Sequence, residues 1–208
     1  MKKIGFKKHY ILGAIIGVVF LSLISYNLLL NKVSYPFDPL RDMRSTFVSN
    51  YELLDSEKTD IGTMVYSAGK VNDNKDYVYY TDLVKRSLLG YKWVGGGGHI
   101  NRDIENESQD FLFSAQLLSE EQKVKPTILG VFSDTSIRNI TVTTQSGTFN
   151  AIILEGKEGD QFYHIPLTGH SNYYIFKITN INEQTADFLI EDDRLDDFRD
   201  GKQVYFYR

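Results

Sequence analysis

The chain has 208 residues and a formal net charge of −4, with 42% hydrophobic and 24% charged residues. These proportions exclude an intrinsically disordered protein. The absence of cysteine excludes disulfides, thiolate catalysis, iron–sulfur clusters and a lipid-modified N-terminal cysteine. Residues 1–31 hold four lysines and no acidic residue, so the remaining chain, with 19 of the 23 basic residues and all 27 acidic ones, has a net charge of −8. A strongly negative surface argues against nucleic acid as a partner, because phosphates need a basic surface.

The first element is an uncharged run from Tyr10 to Leu30. As a helix it would be about 31 Å long, close to the thickness of the hydrocarbon core of a bilayer. The sequence therefore predicts a single transmembrane helix over residues 10–30, with the lipid bilayer around it. A cleaved signal peptide is the alternative, but the apolar run is long and no A-x-A-like cleavage site follows it.

The placement of lysines predicts the orientation of this helix. Residues 1–9 contain four lysines, which predicts a cytoplasmic tail by the positive-inside rule. Residues 31–37 then form a juxtamembrane linker, and the rest of the chain lies outside. We expect a single-pass protein of the cell membrane, and an extracytoplasmic part without cysteine is ordinary for a Gram-positive bacterium. Gly13 and Gly17 form a G-x-x-x-G motif, which predicts a possible homodimer through the transmembrane helix.

The next region, residues 38–122, is predicted to be a helix followed by an antiparallel β module. Asp38 and Pro39 are typical of a helix start, with Asp38 as the N-cap, and apolar residues then recur at helical spacing, which predicts a helix at about 39–50. From Tyr51 the chain is rich in Tyr, Val, Ile and Thr, broken by turn residues. Predicted strands lie near 51–57, 62–68, 77–86, 89–94 and 110–118, with a loop from Gly95 to Asp110.

A polar stretch from Ser119 to Pro126 has the composition of a linker. After it, short strands are predicted at 127–132, 137–144, 149–155, 161–166, 172–179, 185–190 and 203–207. Short strands at intervals of about ten residues are typical of antiparallel sandwiches. Residues 126–208 are therefore predicted to form a β-sandwich-like module. The expected fold class is mainly-β with minor α content and antiparallel sheets.

The best binding candidates are aromatic. Tyr91 and Trp93 share one face of a predicted strand directly before the glycine run Gly95–Gly98, and His99 follows that run. Exposed aromatic rings can stack on sugars or anchor a partner, although such residues also fill half-buried sheet faces. The glycine run is not followed by Lys-Ser or Lys-Thr, so it is not a phosphate loop; a flexible strand end or a bulged turn is the expectation.

Metal and catalytic signals are weak. The best metal candidate is an acidic segment that does not match an EF-hand loop and whose other interpretation is a solvated turn; its residues are Asp192, Asp193, Asp196, Asp197 and Asp200. The histidines His99, His164 and His170 form no known zinc or nucleophile motif. We therefore predict no catalytic residue, no metal and no cofactor.

Residues 62–98 carry a resemblance. The run GTMVYSAG at 62–69, the pair Tyr79-Tyr80, and VKRSLLGYKWV at 84–94 followed by glycines resemble the core of small exported, membrane-anchored proteins of Bacillus-like bacteria. The resemblance implies a location at the cell envelope and no known activity or site residue.

Together these features predict a membrane-tethered, non-enzymatic binding or interaction module of the cell envelope, with a membrane or cell-wall partner. The alternative is a cell-surface hydrolase acting on envelope polymers. A binding module predicts an exposed aromatic patch, whereas a hydrolase predicts a cleft in which one of the three outer histidines meets an Asp, Glu or Ser.

Overall fold

The computed structural model describes residues 5–30, 35–71, 77–88, 90–100, 111–119 and 125–207, and within these ranges it does not describe the side chains of residues 5–12, 27–30 and 98–100. The helices of this part are α1 (Gly5–Leu30), α2 (Asp38–Arg44) and α3 (Asp193–Arg199). The strands are β1 (Val48–Thr59), β2 (Gly62–Val71), β3 (Tyr77–Ser87), β4 (Gly90–Ile100), β5 (Phe111–Leu118), β6 (Thr127–Phe132), β7 (Ile137–Thr144), β8 (Gly147–Asn150), β9 (Ile152–Glu155), β10 (Gln161–Pro166), β11 (Tyr174–Asn180), β12 (Thr185–Ile190) and β13 (Val204–Tyr207).

Helix α1 covers the apolar N-terminal run. Its described side chains, from Gly13 to Tyr26, are all exposed, and this stretch is about 21 Å long. Among the described residues, no helix combines the length and the apolar character needed to cross a membrane. The membrane span expected over residues 10–30 stays a prediction.

The strands form three antiparallel sheets. The first sheet has the order β1-β2-β3-β4, so consecutive strands are neighbours. The middle sheet has the order β13-β5-β6-β10-β9, and the third sheet has the order β12-β11-β7-β8. Every neighbouring pair is antiparallel. The prediction of a mainly-β chain with antiparallel sheets is confirmed for the described part of the chain.

The middle sheet is buried on both faces. Phe162 of β10 packs with residues of the first sheet, and its neighbour Tyr163 packs with residues of the third. In β6, Leu129 packs with the first sheet and Ile128 with the third. Every residue of β6 is buried. Gly130 has no room for a side chain, because a Cβ there would overlap the Tyr163 ring. Since successive strand residues point to opposite faces, a continuous apolar run is the sequence that such a two-sided strand requires.

The central strands of the first sheet, β2 and β3, are also covered on both faces. One face packs on the middle sheet, and the other is covered by α2, whose Leu40 is completely buried beside Val65 and Val84. A helix of only seven residues is not stable alone, so this apolar contact holds α2 in place. Val48 and Tyr51 of β1 pack on Val78 and Tyr80 of β3. Together with α2 they account for the seven consecutive buried residues in β2 and the seven in β3.

The helix predicted at 39–50 is wrong in its length and in its cap. The observed helix α2 ends at Arg44, and Phe37 rather than Asp38 is its N-cap. Phe47 had suggested that the apolar stripe continues, but its side chain is 65% exposed. Ser45 and Thr46 precede it, and such residues favour turns over helix interiors.

Two further predictions are wrong in detail. The strand expected at 149–155 is two strands that belong to different sheets, since β8 pairs with β7 of the third sheet and β9 with β10 of the middle sheet. The acidic segment, expected as a turn, contains α3. Leu195 and Phe198 of that helix are buried at a spacing of three residues, a helical signal that the surrounding charges had masked.

The middle sheet contains strands from both predicted modules. β5, which lies within residues 38–122, pairs with β6 and with the C-terminal strand β13. A shared core between the first and middle sheets joins the same two regions.

Candidate functional site

A buried charged cluster lies where α2 crosses the first sheet. Nη2 of Arg44, the last residue of α2, donates a hydrogen bond of 2.8 Å to Oδ1 of Asp82 in β3. The Asp82 side chain is completely buried, and that of Arg44 is 15% exposed. Nε1 of Trp93 in β4 donates to the same Oδ1 at 2.9 Å. We call Arg44, Asp82 and Trp93 the Arg44 cluster.

The electrostatics of the Arg44 cluster are set by two opposing effects. Burial raises the pKa of Asp82 above its ordinary value. The Arg44 charge and the hydrogen bonds from Arg44 and Trp93 lower it, but they offset the effect of burial only in part. The guanidinium also lies 4.4 Å from the centre of the Tyr80 ring, a favourable cation–π distance. A buried carboxylate needs both a cation and hydrogen bonds, and this cluster supplies them at one oxygen.

The glycine run lets the backbone of β4 approach this cluster. Gly96 and Gly97 both have φ of +98°, a conformation that favours glycine. A Cβ on Gly97 would stand 2.7 Å from Nη2 of Arg44, and one on Gly96 would stand 2.5 Å from the carbonyl oxygen of Thr81. The register between β3 and β4 also shifts here. The loop predicted from Gly95 is wrong up to Ile100, because residues 95–100 belong to β4; the rest of that loop lies outside the described residues.

The predicted binding residues are only partly brought together. Tyr91 is half-buried against the apolar cluster under α2. Trp93 is 44% exposed, so one edge of its indole is tied to Asp82 and much of the ring faces solvent. It is the only tryptophan of the chain. The side chain of His99 lies outside the described residues.

Two residues of this site, Arg44 and Asp82, were missed by reasoning from the sequence. A signal was present for Asp82, which stands in the run VYYTDLV. A carboxylate in a strand buried on both faces needs a buried cation. Nothing in the sequence showed that Arg44, 38 residues earlier, is that cation.

Among the described side chains, neither His164 nor His170 meets the partners that the hydrolase alternative expects. His164 is buried and its ring stacks on Tyr66 with centroids 4.1 Å apart. Burial lowers its pKa to about 4, and Asp55 acts weakly in the opposite direction. His170 is exposed, and its backbone oxygen accepts a bond from Gln145. In the described part of the chain, neither imidazole hydrogen-bonds to an Asp, Glu or Ser.

The acidic segment is occupied by its own local contacts. Lys202 pairs with Asp197 at 2.6 Å, and Nη2 of Arg199 donates to the backbone oxygen of Ser171 and to Oδ1 of Asn172. Among the described residues, no three acidic or histidine side chains converge as metal ligands. The metal candidate of the sequence therefore forms no metal site in the described part of the chain; its residues are Asp192, Asp193, Asp196, Asp197 and Asp200.

A groove of about 600 Å³ lies between the middle and third sheets. Its wall includes Asp134, Asn180, Gln184 and Asp187. It holds no basic or aromatic anchor except the edge residues Phe188 and Tyr207, and none of the sequence-predicted site residues lines it. The Arg44 cluster is therefore the better candidate site.

Comparison with known proteins adds no relative. No protein-family model, no curated protein and no solved structure matches this chain significantly. The resemblance of residues 62–98 to exported proteins of Bacillus-like bacteria stays a prediction.

Proposed function

We propose that this protein is a membrane-tethered, non-enzymatic binding module of the cell envelope. The observation that carries the proposal is Trp93: a single, half-exposed indole that a buried ion pair holds in a fixed orientation. A rigid aromatic ring loses little conformational freedom on binding, which is why Trp is enriched at the centre of binding surfaces. Tyr91 on the same face, and His99 beyond the glycine run, extend the proposed site.

The tether is proposed to be residues 10–30, as a single span with a cytoplasmic N-terminus. The uncharged run and the continuous helix α1 support the span, and the lysines that precede the run support the cytoplasmic N-terminus. The extracytoplasmic part would then contain the three sheets, with the sandwich-like packing of the middle and third sheets at its C-terminal end. Gly13 and Gly17 are open to a close neighbour, since nothing lies within 4 Å of a Cβ built on either, which supports a dimer through α1.

The topology is testable because the chain has no cysteine. Thr135→Cys places one thiol on an exposed turn of the proposed outer part, and Lys3→Cys places one in the proposed tail. A membrane-impermeant maleimide added to intact cells should label only the first protein. Labelling of both after cell lysis is the control, and labelling of position 3 in intact cells would contradict the orientation.

The binding role is testable by site-specific photo-crosslinking. A photoreactive residue at Trp93 should capture a discrete envelope component in cells, whereas one at Ile152 should not. Ile152 is a matched control, since its exposed fraction is also 44% and it lies on an edge strand of the middle sheet. The capture should survive replacement of residues 10–30 by an unrelated span. If the crosslink at position 93 is lost on that replacement, binding depends on the helix face of Gly13 and Gly17. If positions 93 and 152 capture the same component equally well, the proposal is contradicted.

A further inference from the structure

The hairpin that joins β3 and β4 ends in an exposed apolar residue. Leu88 is completely exposed, and the Ser87 hydroxyl donates a 2.9 Å hydrogen bond to the Gly90 oxygen across the turn. This bond joins the two ends of the turn, and the fully exposed side chain of Leu88 contributes nothing to the core of the protein.

Positive charge surrounds this residue. Lys85, Arg86 and Lys92 are exposed, and within the described part of the chain none of them forms an ion pair. Lys85 and Lys92 stand directly opposite each other on neighbouring strands, an arrangement that is unfavourable for like charges unless an anion lies between them. We call Lys85, Arg86, Leu88 and Lys92 the hairpin tip.

The hairpin tip is positively charged, whereas the outer part as a whole is negatively charged. No acidic residue occurs between Asp82 and Asp103, although residues 32–208 are strongly acidic in total. At the same end of the sheet, Glu57 of β1 and Asp60 of the β1–β2 turn are acidic, and Lys125 pairs with Asp60. An anionic surface would therefore attract the hairpin tip and repel most of the remaining molecule, which selects one orientation.

The chain keeps the hairpin tip near the end of α1. Five residue steps separate Leu30 from Tyr35, a distance of at most about 18 Å. α2 follows at Asp38, and its Leu40 packs beside Val84, the residue before Lys85. Short connection and direct packing thus link the proposed membrane span to the hairpin tip.

We propose that the hairpin tip docks on the anionic headgroups of the bilayer that α1 crosses. Lys85, Arg86 and Lys92 contact the lipid phosphates, and Leu88 enters the interface. Lys and Arg side chains close to an anionic bilayer surface are attracted to its headgroups, and an apolar side chain among cations adds interfacial burial. This inference rests on the proposed tether, and it assigns anionic lipid as a partner next to the Trp93 site.

The test uses the full chain reconstituted in vesicles. Leu88→Cys carries an environment-sensitive dye as the only labelled thiol, and the same dye at Ile181→Cys is the control, because Ile181 is an exposed turn residue (63%) at the third sheet. In vesicles that contain phosphatidylglycerol, the emission of the dye at position 88 should shift to shorter wavelength, and vesicles of phosphatidylcholine alone should give no shift. The dye at position 181 should not respond in either.

Charge variants complete the test. K85E/R86E should abolish the shift at position 88, and high salt should reduce it, whereas R138E/K177E changes the same charge at exposed sites of the third sheet and should leave the shift intact. An equal response in both lipids, or a response to soluble polyphosphate as large as that to anionic vesicles, would overturn the proposal. Flotation with neutral vesicles separates the two hypotheses: a protein that floats without the lipid-dependent shift has a tether but no docking tip, and a protein that does not float overturns both.

Discussion

The two faces of the first sheet are buried in different ways. The face on the middle sheet is closed by apolar and aromatic side chains, with Tyr79 stacked on Phe162 at 5.5 Å and His164 stacked on Tyr66. The face under α2 is closed by a small apolar cluster and by the ion pair of Arg44 with Asp82. Apolar burial depends mainly on the area removed from water and is non-directional, whereas a buried ion pair is favourable only when both charges are placed correctly.

The two faces therefore have different roles. The apolar face supplies stability, because burying a large side chain contributes about 1.5–3 kcal/mol. The charged face fixes position: it determines where α2 lies, how Trp93 is oriented and where the chain from α1 joins the sheet. Variants on each face should separate these roles.

The largest expected effect comes from Arg44→Met, which breaks the charged face. The substitution keeps the apolar stem and leaves Asp82 buried without its cation, so it should cost about 3–5 kcal/mol of unfolding free energy at neutral pH. The cost should shrink on acidification, because a protonated Asp82 no longer needs a cation. Urea unfolding in detergent micelles, monitored by circular dichroism at neutral and at acidic pH, measures the cost and its dependence on pH.

Arg41→Met is the matched control for this variant. Arg41 lies on the same helix, is exposed, and stands 5.2 Å from the Phe37 ring without a carboxylate partner among the described residues. Its loss should cost less than about 1 kcal/mol. Equal costs for the two variants would show that the ion pair does not fix α2.

The apolar face is predicted to be sensitive to acid through His164. Burial lowers its pKa to about 4, from an ordinary value of about 6.5. The stability that depends on a neutral His164 is therefore complete above about pH 6.5 and is lost as the pH falls towards 4. The shift corresponds to about 3 kcal/mol.

His164→Phe keeps the ring against Tyr66 and removes the titration. Between neutral pH and about pH 4, this variant should lose about 3 kcal/mol less stability than the unmodified chain does. Urea unfolding over that pH range measures the difference. Parallel pH profiles for the two proteins would show that His164 is not buried as a neutral group.

A smaller effect should follow from Gly97→Ala, which disturbs the charged face from the side of β4. The new Cβ would stand 2.7 Å from Nη2 of Arg44 on a backbone with φ of +98°, so the cost should be about 1–3 kcal/mol. Gly159→Ala is the control, because Gly159 has a similar φ of +89° and no atom lies within 4 Å of its Cβ. The excess cost of the first variant over the second reports the contact with Arg44; an excess of zero would show that the glycine run only accommodates backbone strain.

The smallest effect is expected for Trp93→Phe, which removes one of the two hydrogen bonds to Asp82 and keeps the ion pair. Such a loss should cost about 1 kcal/mol. Tyr91→Phe, on the same face and without a hydrogen bond in the described structure, should be nearly neutral. Thermal unfolding by circular dichroism compares them, and a cost for Trp93→Phe as large as that for Arg44→Met would mean that the indole, rather than the cation, stabilises Asp82.

The local periodicities can be recognised without the structure. Three features were predicted correctly: a helix over the apolar run of residues 10–30, the start of α2 near Pro39, and most of the strands. Each of them is set mainly by residues that are neighbours in the sequence. The approximate bounds of β2, β3 and β6 follow from their composition alone. The extent of α2 and the division between β8 and β9 were not predicted, since both depend on which sheet lies next to the chain.

The pairing of residues that are distant in the chain follows only from the three-dimensional fold. Arg44 and Asp82 are 38 residues apart, and their pairing required α2 to cross β3 and the glycine run to approach them. The continuous apolar run of β6 indicates that this strand is covered on both faces. It does not show which segments cover it, so the central position of the middle sheet could not be predicted. Periodicity is a local property of the chain, whereas the pairing of buried charges and the stacking of sheets arise from contacts between segments that the sequence keeps apart.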